Sequence, residues 1–181
     1  MLIYFVTSSF LKFKEVVDNY NLNFSQLNIP LTEIQGTQDQ IALHKLKTAC
    51  QIYPDKWIMV DDTSIEIIAL NGFPGPYGKD FLSIGIDCIE NLVSKIGRDT
   101  KLSCVIGLGN EKLKIFKLFN GNLKGKIVKR EKNEYCEFDG FFVPDGFDIP
   151  YSDLSNDVKR LISHRGMAMR KMEMYIKEKE F

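Results

Sequence analysis

Two spacings of apolar residues run along this chain. The run LIYFV, residues 2–6, is continuously apolar and predicts a short strand covered on both faces. TSSFLKFKEVVDNY follows it. Thr7, Ser8 and Ser9 are candidate N-caps there, and Phe10, Phe13, Val16 and Val17 recur at helical spacing. A looser strand pattern runs from Phe24 to Ile29. QDQIALHKLKTACQIY predicts an amphipathic helix whose apolar positions are Ile41, Leu43, Leu46, Ala49 and Cys50. WIMV, residues 57–60, is a second continuous apolar run. It stops at the carboxylates Asp61 and Asp62, after which SIEIIAL resumes a strand-like pattern. The expectation is two strands broken by a polar turn at the acidic pair.

The loop NGFPGPYG holds three glycines and two prolines in eight residues. KDFLSIGIDCIENLVSKIG then predicts one long helix with Gly97 as its C-cap. KLSCVIGLG, KLKIFKLFNG and GKIVKR lie close together with glycine turns, which predicts antiparallel strands; FFVPDG adds a short strand and a turn. YSDLSNDVKRLI and SHRGMAMRKMEMYIKEK close the chain. In the last segment Ser163 is a candidate N-cap, and Met167, Met169, Met172, Tyr175 and Ile176 supply an apolar stripe. Helices and strands alternate early and an antiparallel section sits in the middle, so the fold class is α/β with a mixed sheet. There is no internal repeat, low-complexity segment or linker, and residues 1–181 read as a single domain.

Composition narrows the function classes. The 181 residues are 44% hydrophobic and 27% charged, which excludes a disordered chain. Lys plus Arg equals Asp plus Glu at 24 each, so no basic excess points to a nucleic-acid partner. A local positive pocket for a small anionic ligand remains compatible with that balance. Cys50, Cys88, Cys104 and Cys136 are far apart, with no Cys-x-x-Cys, which argues against a zinc site or redox pair and suits a reducing compartment. MLIYFV is too short for a signal peptide and no run approaches a membrane span, so a cytoplasmic protein with no membrane partner is expected.

Three polar clusters fall at element junctions. Thr7-Ser8-Ser9 with Lys12 can hold a phosphate through hydroxyls, backbone N–H groups and one ammonium; an ordinary helix cap explains the same residues. Glu33, Asp61 and Asp62 offer the hard oxygens that magnesium takes. Neighbouring strand residues point to opposite faces, so Asp61 and Asp62 share one ion only if the strand has turned; a capped turn is the alternative. Ser163-His164-Arg165 puts two cationic residues in a first helical turn. The helix dipole disfavours them there unless something anionic lies nearby; a solvated His-Arg pair whose cost is tolerated is the alternative.

Taken in order, these clusters resemble the inosine triphosphate pyrophosphatase family over nearly the whole chain. The most specific piece is DDTSIEIIALNGFPGPYGKDF, supported by LTEIQG, FFVPDG and SHR. The resemblance implies an elongated mixed α/β sheet with two lobes around a central cleft, and a homodimer. It implies magnesium-dependent cleavage of the α–β phosphoanhydride of ITP, dITP and XTP, with manganese able to replace magnesium. On that pattern Thr7, Ser8, Ser9 and Lys12 form the phosphate turn. Glu33 and Asp61 match metal positions, and Asp62 matches the acid that activates water beside the metal. Thr63 matches a substrate contact, and Lys45, Lys79 and Lys159 match phosphate or substrate lysines. Phe138, Asp139, His164 and Arg165 match the base-recognition residues. Donors there would pair with a six-position oxygen and be left unpaired by the amino group of adenine.

Two segments depart from the pattern. The opening turn is usually Thr-Gly-Asn and here is TSS, which removes a glycine and shortens an amide to a hydroxyl. The base segment, usually Phe-Gly-[Trp or Tyr]-Asp and then Pro, reads Cys136-Glu137-Phe138-Asp139 and then Gly140. Tyr135 could supply the stacking ring by a one-residue shift, and Glu137 could alter base choice. A catalytically weakened nucleotide-binding relative with altered base specificity is therefore the alternative function. The related group acting on modified pyrimidine nucleotides fits the SHR and Gly-Pro-Tyr motifs poorly.

Overall fold

A computed structural model describes residues 1–129 and 138–181. It has a mixed sheet of seven strands flanked by helices. Along the sheet the strands run β2 (Asn23–Leu27), β1 (Leu2–Val6), β3 (Trp57–Ile67), β5 (Asp99–Asn110), β6 (Ile115–Ile127) and β7 (Phe142–Pro144), with β4 (Pro74–Gly75) pairing to β3. The chain divides into two compact units. One comprises residues 1–62, 104–120 and 168–181; the other comprises residues 63–103 and 121–167.

In the first unit β1 pairs in parallel with β2 and with β3. Parallel neighbours need crossovers, supplied by α1 (Phe10–Asn19) and α2 (Gln38–Ile52). Strand alternation sorts the apolar residues into two cores. Ile3, Phe5 and Met59 pack with Val16 of α1 and with Ala168, Met169, Met172 and Ile176 of α6 (His164–Glu178). Val6, Ile58 and Val60 pack with Leu46, Ala49 and Cys50 of α2. Both faces of β1 are thus covered, as its unbroken apolar run requires. Burial pushes the Cys50 thiol up to about 12, helped by Glu111, which leaves it an inert core residue. On α1 only Val16 is buried; Phe10 and Val17 are exposed, so the face that helical spacing assigned to the core is narrower than expected.

The described residues of the second unit share one apolar core. Ile65 and Ile67 of β3 meet Phe81 of α3 (Gly78–Leu82), Ile89 and Val93 of α4 (Ile86–Ile96), Leu123 and Ile127 of β6, and Phe138, Phe142 and Tyr151. The expected long helix is in fact two, α3 and α4. Gly85 at φ 90° leaves the helical region between them and caps α4, while Gly97 ends it as expected. The proline-rich loop forms the short strand β4, antiparallel to β3. KLKIFKLFNG and GKIVKR belong largely to one strand, β6. Residues 111–114 join β5 to β6, a link so short that only antiparallel neighbours can make it. No helix among the described residues is long and apolar enough to cross a membrane.

Candidate functional site

Strand β3 does not break at the acidic pair. It runs unbroken through Asp61 and Asp62 to Ile67, which overturns the expected turn. The two carboxylates therefore keep the strand's alternation. Asp61 has the parity of Met59 and Asp62 that of Val60, and their partners differ accordingly. Lys12 of α1 approaches Asp61 at 3.1 Å, and Lys45 of α2 approaches Asp62 at 3.3 Å. Both carboxylates are buried, with only 5% of the Asp61 and 9% of the Asp62 side chain exposed. A buried carboxylate is costly unless paired, and these lysines supply the pairing.

Helix α2 sets the second of these contacts. Thr37 and Gln40 form a capping box that fixes where the helix starts. Gln38 and Lys45 lie seven residues apart, close to two turns, and so share a face. Gln38 donates through Nε2 to the Asp62 carbonyl at 2.9 Å, and Lys45 donates through Nζ to the Asp61 carbonyl at 3.1 Å. Lys45 also donates to Glu33 Oε1 at 3.0 Å, although most of the Glu33 side chain is exposed. Burial pulls the Lys45 ammonium down, but Asp62, Glu33 and Asp61 outweigh it and hold the group above its ordinary range. Sequence reasoning missed Gln38; its signal was the spacing of seven to Lys45.

Asp62 is the unusual group. Its Oδ2 is buried and has no hydrogen-bond partner among the described residues. Burial pushes its carboxyl up to about 6; Lys45 opposes that shift, while Glu33 and Asp61 add to it. Among the described residues Glu33 and Asp62 share one ammonium, that of Lys45, so this pair of carboxylates carries one negative charge in excess. A hard cation suits both the charge and the unpartnered oxygen. Among the described residues, however, no three of His, Cys, Asp and Glu converge as a preformed metal cluster. Glu33 and Asp62 converge on Lys45, whereas Asp61 directs its carboxylate to Lys12.

The phosphate-turn candidates lie at the end of β1. Thr7 N–H donates to the Leu27 carbonyl, and Gln26 donates to the Thr7 carbonyl at 3.0 Å. Thr7 Oγ1 accepts from Ser9 N–H, and Ser9 Oγ accepts from Lys12 N–H, so Ser9 is the N-cap of α1. Acceptance leaves the Ser9 hydroxyl proton available to donate. Ser8 is exposed at the apex.

The remaining candidates belong to the second unit. Thr63 continues β3 and is half-buried, while Lys79 stands exposed on α3. Phe138 is buried in the 3-10 turn 138–140, which carries Asp139 and packs against the turn Tyr151–Asp153. Lys159 donates to the Ser152 carbonyl at 2.6 Å and sits 5.6 Å from the centre of the Tyr151 ring, so the backbone of this unit already holds its ammonium. Ser163 Oγ accepts from Gly166 N–H at 3.2 Å, which makes it the cap of α6 and places His164 and Arg165 in the first turn, both half-buried. Tyr135, Cys136 and Glu137 lie outside the described residues.

The sequence profile of the Ham1 family matches residues 3–175. A protein of Encephalitozoon intestinalis named inosine triphosphate pyrophosphatase is 41% identical over 181 residues, covering 98% of this chain and 93% of that protein. One of the same name from Encephalitozoon cuniculi is 35% identical over 181 residues, covering 96% and 93%. Among solved structures, a HAM1 protein from Coxiella burnetii superposes with a TM-score of 0.81 at 22% identity, covering 98% of this chain and 99% of that one. The Staphylococcus aureus Ham1 protein gives 0.80 at 22% identity, covering 99% and 100%.

Proposed function

Because this chain belongs to the Ham1 family, we propose that it hydrolyses non-standard purine nucleoside triphosphates, namely ITP, dITP and XTP, to the monophosphate and pyrophosphate. It is a nucleoside triphosphate pyrophosphatase. The observation that carries the chemistry is Asp62: a buried carboxylate with one oxygen on Lys45 and the other, Oδ2, without a hydrogen-bond partner among the described residues. With its carboxyl near 6, Asp62 is ionised at neutral pH and basic enough to accept a proton.

The residues divide the work as follows. Asp62 accepts a proton from the attacking water. The water oxygen bonds to the α-phosphorus, the α–β anhydride bond breaks, and pyrophosphate leaves with that electron pair. Lys12 and Lys45 neutralise phosphate charge, and Thr7, Ser8 and Ser9 present hydroxyls and backbone N–H groups to it. Glu33 and Asp62 would hold a divalent cation, magnesium or manganese. Such an ion supplies charge neutralisation on the phosphate oxygens and a more acidic water. Asp61 positions Lys12 by their ion pair at 3.1 Å. Thr63, Lys79, Phe138, Asp139, Lys159, His164 and Arg165 contact sugar and base, with His164 and Arg165 donating to the six-position oxygen. The assembly in this reading is a homodimer, checked by light scattering at micromolar concentration.

The test is pyrophosphate release from ITP, XTP, GTP, ATP and dUTP, with magnesium and with EDTA, scored as kcat/KM. Preference for ITP and XTP that EDTA abolishes is the expected result. Tight triphosphate binding with no turnover over hours would replace the reading with that of a nucleotide-binding relative. Lys12→Gln should raise KM roughly 10- to 100-fold with a smaller change in kcat, because a charge-assisted bond to a phosphate is worth about 1.5–3 kcal/mol. An unchanged KM would remove Lys12 from the phosphate site.

A further inference from the structure

The Lys45 ammonium occupies an unusual position. An ammonium has three N–H donors, and here all three are used on oxygens of three different residues. These are Glu33 Oε1 at 3.0 Å, the Asp61 carbonyl at 3.1 Å and Asp62 Oδ1 at 3.3 Å. Two carboxylates and a carbonyl are also the hard-oxygen set that a magnesium-sized ion takes. Only 13% of the Lys45 side chain is exposed, so the group is enclosed rather than waving in solvent. Yet it stands on a four-carbon stem with freely rotating bonds. A divalent cation and an ammonium within one such oxygen set repel each other at short range, in surroundings that screen poorly.

We propose that Lys45 is a place-holder for the divalent cation. Its ammonium fills the oxygen set of Glu33, Asp61 and Asp62 while no metal is bound, and moves to the nucleotide phosphates when the ion enters. Left bare, the buried Asp62 carboxylate and the more exposed Glu33 carboxylate would repel one another; the lysine keeps them together and preserves the site between turnovers. The exchange also couples the two ligands. The ion frees the lysine that the triphosphate needs, and the triphosphate gives the displaced lysine a new partner, so each binds more tightly in the presence of the other. The inference rests on the pyrophosphatase reading above, in which Glu33 and Asp62 hold the ion.

Binding of Mn2+ alone, followed by the loss of its free EPR signal without nucleotide, separates the possibilities. Lys45→Met removes the competing charge and should bind Mn2+ about 5- to 100-fold more tightly than the wild type, the usual span of coupling between two sites. Lys45→Arg keeps the charge and should stay close to the wild type. Equal affinity in the wild type and Lys45→Met would overturn the place-holder while leaving the cation site intact. No Mn2+ binding by any of the three would overturn the cation site and the place-holder together. A second measurement stands if Lys45→Met fails to fold. With 13C-labelled lysine incorporated into the wild type, the Lys45 Cε resonance, identified by its loss in Lys45→Arg, should shift on adding Mg2+. A resonance that stays fixed at saturating Mg2+ would overturn the proposal.

Discussion

Asp62→Asn is expected to lower kcat/KM by about 10²- to 10⁴-fold, the usual worth of a positioned proton acceptor, and at the same time to make the metal-free protein more stable at pH 8. The two effects have one cause. Burial raises the Asp62 carboxyl from 3.8 to about 6, against the pull of Lys45 and with help from Glu33 and Asp61. A raised carboxyl favours the fold while it is protonated. That contribution is complete below the ordinary value near 4 and is lost as pH rises through about 6. Above that, ionised Asp62 costs the fold roughly 3 kcal/mol relative to an unfolded chain that ionises freely. Asparagine has the shape of the neutral acid, still offers Lys45 an acceptor, and cannot ionise. At pH 8 in EDTA the variant should therefore be about 1–3 kcal/mol more stable, with a melting midpoint roughly 2–10 °C higher. At pH 3.5, where wild-type Asp62 is protonated, the two proteins should melt together. Calorimetry at the two pH values decides the matter: an equal difference at both, or a less stable variant at pH 8, would show that burial of the charge is not what strains this site.

The same strand shows how far the sequence could be read. WIMV was legible as a strand because an unbroken apolar run fits two covered faces, and both cores are there. What misled was the acidic pair itself, since carboxylates in a strand suggest a turn. The cue to continuity lay downstream. From Asp62 the residues alternate Asp-Thr-Ser-Ile-Glu-Ile, with Asp62, Ser64 and Glu66 on one parity and Thr63, Ile65 and Ile67 on the other. Ser64 finds Ser103 at 2.6 Å, and Glu66 finds Lys101 at 2.8 Å, so beyond Asp62 the polar parity of β3 meets side chains of β5. Those partners are 39 and 35 residues away in sequence, beyond the reach of any local pattern. Lys12 with Asp61 is the same kind of long-range pairing. The split between α3 and α4 was written in Gly85, which helical periodicity on either side concealed. The family's motifs located the acidic pair and the lysines; only the strand parity assigned each lysine its carboxylate.

Gly125→Ala is expected to destabilise the protein by about 3 kcal/mol or more, at or beyond the upper end for inserting one carbon into a packed interior. Gly125 lies in β6 opposite Pro144 of β7, with Lys126 opposite Val143 and Ile127 opposite Phe142. A Cβ at this position would stand 2.3 Å from the Val143 carbonyl oxygen and 2.6 and 2.8 Å from Cζ and Cε2 of the Phe142 ring. Neither neighbour can retreat cheaply. The carbonyl belongs to the backbone of the paired strand, and Phe142 is fully buried in the core of the second unit. Relief must come from opening the ladder, and β7 is the part to give, being three residues long and at the end of the strand order. Its displacement would strain the bonds from Asp145 N–H to the Lys124 carbonyl and from Val128 N–H to the Phe141 carbonyl. The second of these follows directly on the turn that carries Phe138 and Asp139, so KM for ITP should rise along with the loss of stability. Gly146→Ala is the control. That glycine sits at φ 85° with open space around its would-be Cβ, so alanine there meets backbone strain alone, about 1–2 kcal/mol. Urea titration of both variants separates close approach from backbone preference. If Gly125→Ala proves as stable as Gly146→Ala, then β7 yields freely, and the packing of Phe142 under β6 does not fix the Asp139 turn.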